Sequence, residues 1–466
     1  MIVSAEEAVL DEGGESTWST GLRGDALAIF KAGLERADPL FLIDRCLSLE
    51  GDHLVVKTGE GSRSWDLSRF DKILLVGYGK ASARMALAVE SMLGDCIDSG
   101  LVVTKTGHGE ALRKARVFES THPVPGASSV EAGNLMLDLA SKADERTLII
   151  NCVSGGGSAL LCAPAHGLSL EDKRSISSLL LASGAPIGAI NCVRKHLSRV
   201  KGGFLARAFH PATSLNLILS DVMGDDLAVI ASGPTVPDPG TWGEAIDVLR
   251  NYDVFDRLEP GLRKVLEKGR SGELSETPKA DDPVFASTAN ILVGTNYLSL
   301  LAAKEGAEAL GYPTLLLTSR LEGEARELAR VFVALAIDVL AYALPARAPL
   351  CVLAGGESTV TLRGHGRGGR NQEMALAFLD AACDTGLDLR RVAFLSGATD
   401  GNDGPTDAAG GVADAAALAA CRRGGLDIKA ALADNNSYQI LETSGALLIT
   451  GPTNTNVCDI QVLIVS

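Results

Sequence analysis

Short apolar runs that end in glycine-rich turns and lead into helical periodicity recur along this chain: DKILLV (71–76), TLIINCV (147–153), SLNLILS (214–220), ILVGT (291–295), LCVLAG (350–355) and RVAFLS (391–396). Runs so short and so uniformly apolar suit strands buried on both faces. A strand that feeds a glycine turn and then a helix is the repeating unit of a mostly parallel sheet. The expected fold class is therefore α/β: two α/β domains with an inter-domain cleft, the N-terminal one Rossmann-like with a mostly parallel sheet.

The pattern changes between about 236 and 284, where PDPGTW gives way to a charged stretch ending in GRSGELSETPKADDP, with little apolar periodicity after Val265. This predicts an N-terminal domain over 20–245, a linker over 246–284 and a C-terminal α/β domain over 285–451. The run at about 452–466, VCDIQVLIVS, reads as a strand that returns to one of the two domains, the N-terminal one being a candidate. Upstream, DALAIFKAGLERADP sets Leu27, Phe30 and Leu34 on one helical face and stops before Pro39.

Composition narrows the partners. Among 466 residues, 58 Asp and Glu outnumber 43 Lys and Arg, and no basic run tracks a polyanion, so nucleic acid is an unsuitable partner. The nine cysteines are scattered with no C-x-x-C pair, and Cys152 and Cys351 sit inside apolar runs as small buried residues. The leading MIVSAEEAVLDEGGE has neither a basic n-region nor an apolar core, and no apolar stretch reaches about 18 residues. A cytoplasmic setting without a membrane partner is the expectation.

Ligands of open α/β sheets gather beyond the carboxyl ends of strands, so the loops there hold the candidate chemistry. Gly77-Tyr78-Gly79-Lys80 places a lysine at a helix start, although neither the P-loop nor the dinucleotide spacing is met. Ser154-Gly155-Gly156-Gly157-Ser158 can turn several N–H groups and two hydroxyls toward an anion; a flexible packing turn is the alternative. From Asn191, VRKHLSRVKGG concentrates Arg194, Lys195, His196, Arg199 and Lys201. A helix there would pair Arg194 with Lys201 on one face and Lys195 with Arg199 on another. Asp221, Asp225 and Asp226 follow the third run, where carboxylates can hold Mg²⁺, accept a hydroxyl proton or cap a helix. The fifth loop joins Gly355-Gly356-Glu357 to Gly364-His365-Gly366-Arg367-Gly368-Gly369-Arg370-Asn371, and Asp400, Asp403 and Asp407 follow the sixth run in a glycine-rich turn. Gly364, Gly366 and Gly369 satisfy G-x-G-x-x-G, but STVTLR before them alternates like a half-exposed strand, and the two arginines suit anionic oxygens better than a tight dinucleotide turn.

In their order, VGYGKAS, THPVPGASSVEAG, SGGGSALLCAP, GLSLEDK, INCVRKHLSRVKGG, LILSDVMGDDLAVIASGPTVPDP, GGESTV, GRGGRNQEMAL, SGATDGNDGPTDAAG and TGPTNTNVCD resemble the glycerate 2-kinase family, whose C-terminal part is called the MOFRL domain. The resemblance covers roughly 22 to 466. It implies transfer of the γ-phosphoryl group of ATP to the 2-hydroxyl of D-glycerate, giving 2-phosphoglycerate, with Mg²⁺ as cofactor and a homodimer as one open assembly state. Family members have also been named hydroxypyruvate reductase, so an NAD(P)H-dependent reductase is the alternative. On this resemblance Lys80, Asp221 and Arg370 are the catalytic candidates, Asp221 as general base. Ser154, Gly155, Gly156, Gly157, Ser158, Lys195, Glu357, Arg367 and Asn371 are the candidates for binding substrate or phosphate, and Asp225, Asp400 and Asp403 for Mg²⁺. The family pattern near the end is TGPTGTNVND, so Asn454 and Cys458 depart from it.

Overall fold

Lys72–Tyr78 (β4) and Thr147–Val153 (β7) lie side by side at the centre of a six-stranded sheet in a computed structural model that describes residues 21–58 and 61–466. A hairpin-linked meander precedes them, formed by Leu47–Glu50 (β1), His53–Thr58 (β2) and Gly61–Asp66 (β3). The other strands of the large sheet are Ser99–Lys105 (β5), Ala115–Ser120 (β6), Thr213–Leu219 (β8) and Thr288–Gly294 (β9), in the order β6-β5-β4-β7-β8-β9. The pairings β6–β5, β5–β4, β4–β7 and β7–β8 are all parallel. This is the doubly wound order, in which the chain winds one way from β4 and the other way from β7, leaving a crevice where the two directions part. Leu74, Val76, Ile149 and Val153 are buried in the core beneath, as the uniformly apolar runs require.

The second sheet is mixed. Thr314–Leu321 (β10) runs parallel to Leu350–Gly356 (β11), and Val392–Ala398 (β12), Gly410–Ala413 (β13) and Leu447–Leu448 (β14) lie farther along. Asp459–Val465 (β15) inserts antiparallel between β11 and β12. All seven of its residues are buried.

Chain contacts divide the fold into residues 39–293 and a second unit made of the stretch before residue 39 together with 294–466. This division differs from two boundaries read from sequence and gives a place to the C-terminal strand, which the sequence left open. The stretch 246–284 is no linker: Ile246, Leu249, Leu262 and Leu266 from the helices Trp242–Asn251 and Pro260–Arg270 are buried in one cluster of the first unit. Two leucine or isoleucine side chains from each of these short helices suffice to seat them, and the charges that suggested a linker cover their outer faces. The helix Gly21–Arg36 forms as its periodicity predicts, yet Phe30 and Leu34 pack with Leu353 and Ile460 of the second unit rather than opening the first. Arg23 fixes it there with a two-pronged ion pair to Asp414, at 2.5 and 2.6 Å. The C-terminal strand likewise completes the second unit's sheet. STVTLR contributes only an isolated bridge at Thr359, so no strand forms there.

Among the described residues no helix is long and apolar enough to cross a membrane.

His196 closes the helix Ile187–His196, so the basic cluster is not one continuous helix and Lys201 lies beyond its end. Its Nδ1 lies 2.8 Å from the Cys192 carbonyl and its Nε2 2.8 Å from Glu276. Two acceptors on the two ring nitrogens require both to carry protons, which is the imidazolium form. Burial opposes that charge, but the hydrogen bonds to Cys192 and Glu276 outweigh it and raise the His196 pKa to about 9. Burial also disfavours the Glu276 charge, and its bonds to His196, Trp242 and Thr277 overcome this and bring it down to about 2. The histidine's contribution is complete below its ordinary value of 6.5 and vanishes as pH rises through about 9; the glutamate's is complete above 4.5 and vanishes as pH falls through about 2. Thermal melts of the protein and of His196→Gln should therefore differ most near pH 5–6 and converge above about pH 9. A gap independent of pH would show that the ring is held neutral.

Candidate functional site

The crevice between β4 and β7 is closed at its floor by direct bonding between the two loops. Lys80 N donates to the Gly155 carbonyl at 2.9 Å, Ser154 N to the Tyr78 carbonyl at 3.2 Å, and Ala81 N to Ser154 Oγ at 3.0 Å. Gly79 has φ of 139°, and a Cβ there would overlap the Ser154 backbone and hydroxyl. Only glycine allows the loops to approach so closely. The Lys80 ammonium emerges half-buried from this seam and makes no ion pair with any described residue.

Around the Ser154–Ser158 loop the structure gathers groups that sequence reasoning both named and missed. Asp221 packs its carboxylate against Gly155, where a Cβ would overlap it, so the aspartate lies at the mouth of the loop. His122 and the stem of Lys80 flank Gly156. Burial lowers the His122 pKa to about 4, with Lys80 and Lys105 adding repulsion, so this imidazole is neutral near pH 7. Ser158 Oγ shares a 2.8 Å hydrogen bond with Ser232 Oγ and accepts another from Lys201 Nζ at 3.0 Å. Ala231 and Ser232 both have positive φ, 50° and 66°, a strained local backbone of the kind held in place at ligand sites. Ser154, by contrast, spends its hydroxyl on the loop seam, and Lys195 is buried in an ion pair with Asp238 at 3.2 Å. The Lys195 assignment is thus corrected to a structural one, because its charge is already neutralised out of solvent. His122 belongs to THPVPG and Ser232 to ASGPTV, but an isolated histidine or serine carries no spacing signal; Lys201 was visible only as one member of a basic run.

The second unit arranges its loops around Arg370, the first residue of the helix Arg370–Thr385. Its Nε and one terminal nitrogen donate to the two oxygens of buried Asp459 at 2.6 and 2.9 Å, and the other terminal nitrogen donates to Glu357 at 2.7 Å. These carboxylates hold the guanidinium charged against its burial. Two of its five N–H groups remain uncommitted, and the side chain keeps 30% of its exposure. Arg367 lies over the Tyr438 ring at 4.2 Å and is more open, at 53%. Asp400 accepts a bond from Asn402 N at 3.0 Å.

Two assignments in this unit are corrected. Asp403 is 2% exposed and accepts four bonds: from Asn371 N and Nδ2 on one oxygen, and from Gln372 N and Nε2 on the other. A carboxylate has about four lone-pair positions, so none is left for a metal. Asn371 is wholly buried, its carbonyl oxygen accepting from Ser396 Oγ at 2.6 Å, and it acts as a strut of the loop rather than a ligand group. Among the described residues no group of three His, Cys, Asp or Glu side chains is poised as a metal cage.

The two departures from the family pattern fall at backbone positions with left-handed geometry, φ of 59° at Asn454 and 67° at Cys458. Asparagine tolerates this region better than other residues with a Cβ. In urea unfolding, Asn454→Ala should cost about 1 kcal/mol, whereas Asn454→Gly should be neutral within about 0.5 kcal/mol. Asp403→Ala strands several buried donors and should cost about 2–4 kcal/mol by the same measurement. A metal-ligand role for Asp403 would instead make that loss depend on added Mg²⁺.

Comparison with known proteins places these features in a family. Residues 25–267 match the family model described as a domain of unknown function, DUF4147, and residues 350–459 match the MOFRL family. A glycerate 2-kinase from Pyrococcus horikoshii is 38% identical, over 96% of this chain and 98% of its own length. A relative from Agrobacterium vitis with the provisional name hydroxypyruvate reductase is 41% identical, over 84% of this chain and 87% of its own. The crystal structure of a glycerate kinase from Thermotoga maritima superposes with a TM-score of 0.84 at 36% identity, covering 96% of this chain and 99% of that one. With both family regions matched and full-length relatives on either side, the chain belongs to the glycerate 2-kinase family with DUF4147 and MOFRL domains.

Proposed function

We propose that the chain is a kinase that transfers the γ-phosphoryl group of ATP to the 2-hydroxyl of D-glycerate. The observation that carries this reading is Lys80, a half-buried ammonium without a carboxylate partner among the described residues, at the switch point of a doubly wound sheet, in a chain whose full-length relatives are named glycerate kinases. In phosphoryl transfer the protein's work is positioning and charge neutralisation, and an unpaired cation fixed by its own backbone is suited to both.

In this mechanism Lys80 neutralises oxygens of the transferring group, and Asp221 takes the proton of the attacking hydroxyl as the new oxygen–phosphorus bond forms and the bond to ADP breaks. Arg370 offers its two uncommitted N–H groups to anionic oxygens while Asp459 and Glu357 hold its plane. Mg²⁺, where bound, would screen phosphate charge; it is commonly held by one or two carboxylates plus phosphate oxygens, and Asp400 would serve as a hard oxygen donor to it without a protein cage.

The reductase alternative rests on the glycines at 364, 366 and 369, and their surroundings favour another use. A Cβ on Gly364 would overlap the Asp434 backbone, one on Gly366 would overlap Asn436, and one on Gly369 would overlap Asp403. They are glycine so that the loop can pack on its own chain, and Gly364 stands eight positions beyond the end of β11 rather than at the strand's tip.

Purified protein supplied with D-glycerate and Mg²⁺-ATP should form 2-phosphoglycerate, resolved from the 3-phosphate, and should not oxidise NADH or NADPH with hydroxypyruvate. Lys80→Ala should lower kcat by about two orders of magnitude or more with an unchanged melting temperature. Reduction of hydroxypyruvate without phosphoryl transfer would replace the kinase reading.

A further inference from the structure

Beside the Ser154–Ser158 loop lies a group of cations for which the described residues supply no counter-charge. Lys173, on the helix Leu170–Ala182, is 6% exposed, and its Nζ is buried with no hydrogen-bond partner. Lys201 is 4% exposed and donates to the Ser158 carbonyl at 2.6 Å and to its hydroxyl at 3.0 Å. Arg194, half-buried near the end of the helix Ile187–His196, has only a long 3.4 Å bond from Nε to Ser177. The groups acting electrostatically on Lys201 are Lys173, Arg194 and the Cys162 thiol, and those on Lys173 are Arg194 and Cys162. No described carboxylate acts on either lysine.

This arrangement is costly as it stands. A buried ammonium without an acceptor loses its hydration and gains nothing in return, and two neighbouring cations make the charge still less favourable. Elsewhere in the same unit a buried lysine is paired: Lys195 with Asp238. Three cations left without an acid beside a half-exposed serine form a site that a small anion would complete.

We propose that Lys173, Arg194 and Lys201 form the binding site for the carboxylate of the hydroxy-acid acceptor, with the Ser158 hydroxyl as the group that orients it. A single carboxylate suits the place better than a polyphosphate. Burial, with repulsion from Lys173 and Arg194, lowers the Lys201 pKa to about 7, so that lysine is only partly charged near neutral pH, and burial lowers that of Lys173 as well. Lys80, outside this group, remains for the phosphoryl oxygens. The assignment rests on the kinase reading for the identity of the acid, but binding tests it independently of turnover.

Isothermal titration of the full-length protein with D-glycerate, without nucleotide, should show binding that Lys173→Met weakens on the order of tenfold or more, with KM for D-glycerate rising alike and KM for ATP within about twofold. Arg194→Gln, at a half-buried position, should act in the same direction and serves if Lys173→Met fails to fold. Glycerol and inorganic phosphate are the control probes: neither should distinguish the variants from the parent. Unchanged D-glycerate affinity in the variants, a rise in KM for ATP alone, or a selective loss of phosphate binding would each overturn the proposal. D-glycerate binding that depends on Lys173 in a protein without kinase activity would uphold the site and reject the kinase reading. Kinase activity with a D-glycerate KM indifferent to both variants would do the reverse.

Discussion

The hydrogen bonds that lace the β4 loop to the β7 loop are the constraint on which the candidate site depends. They join the two halves of a doubly wound sheet at the only place where its chain direction changes, and they do so through backbone groups and one serine hydroxyl. Because the floor is backbone, Lys80 leaves it in a fixed direction, and Asp221 and His122 close on the glycines rather than on side chains that could shift. Apolar strands beneath make this rigid: β7 is buried along its entire length.

Charge is used sparingly and in pairs elsewhere in this acidic protein. Arg23 with Asp414, Lys195 with Asp238, Arg326 with Glu373 and Arg370 with Asp459 each bind a cation to a buried or nearly buried carboxylate. Such pairs hold segments in register because separating either partner leaves a desolvated charge. Against that background the unpaired lysines near the Ser158 loop are exceptional. Net charge, which is negative overall, carries no information about them.

Most strands were legible because a strand buried on both faces needs nothing but apolar residues, as TLIINCV shows by coinciding with β7. The exposed meander was not, since Gly61–Asp66 reads GSRSWD and owes its conformation to pairing with β2 rather than to its own side chains. Lys80, Asp221 and the Ser154–Ser158 loop were singled out from their position after strands. Lys195 and Asn371 were misjudged because sequence reports a residue's chemistry but not whether a distant partner, Asp238 or Ser396, has already engaged it. The role of 246–284 was misread for a related reason: helices with one narrow apolar stripe look like surface until the core that receives Leu262 and Leu266 is known.

The placement of β15 has a consequence for how the chain acquires its structure during synthesis. Residues 39–293 are contiguous and can complete their own sheet as soon as they emerge. The other unit cannot: β11 and β12 do not pair with each other, and both bond to a strand made more than sixty residues after β12 begins. The helix Gly21–Arg36, translated early, must wait with Phe30 exposed until Ile460 arrives to cover it. Ribosome-bound chains should therefore carry one finished unit and one unfinished, apolar one, and the unfinished half is the natural client for a chaperone.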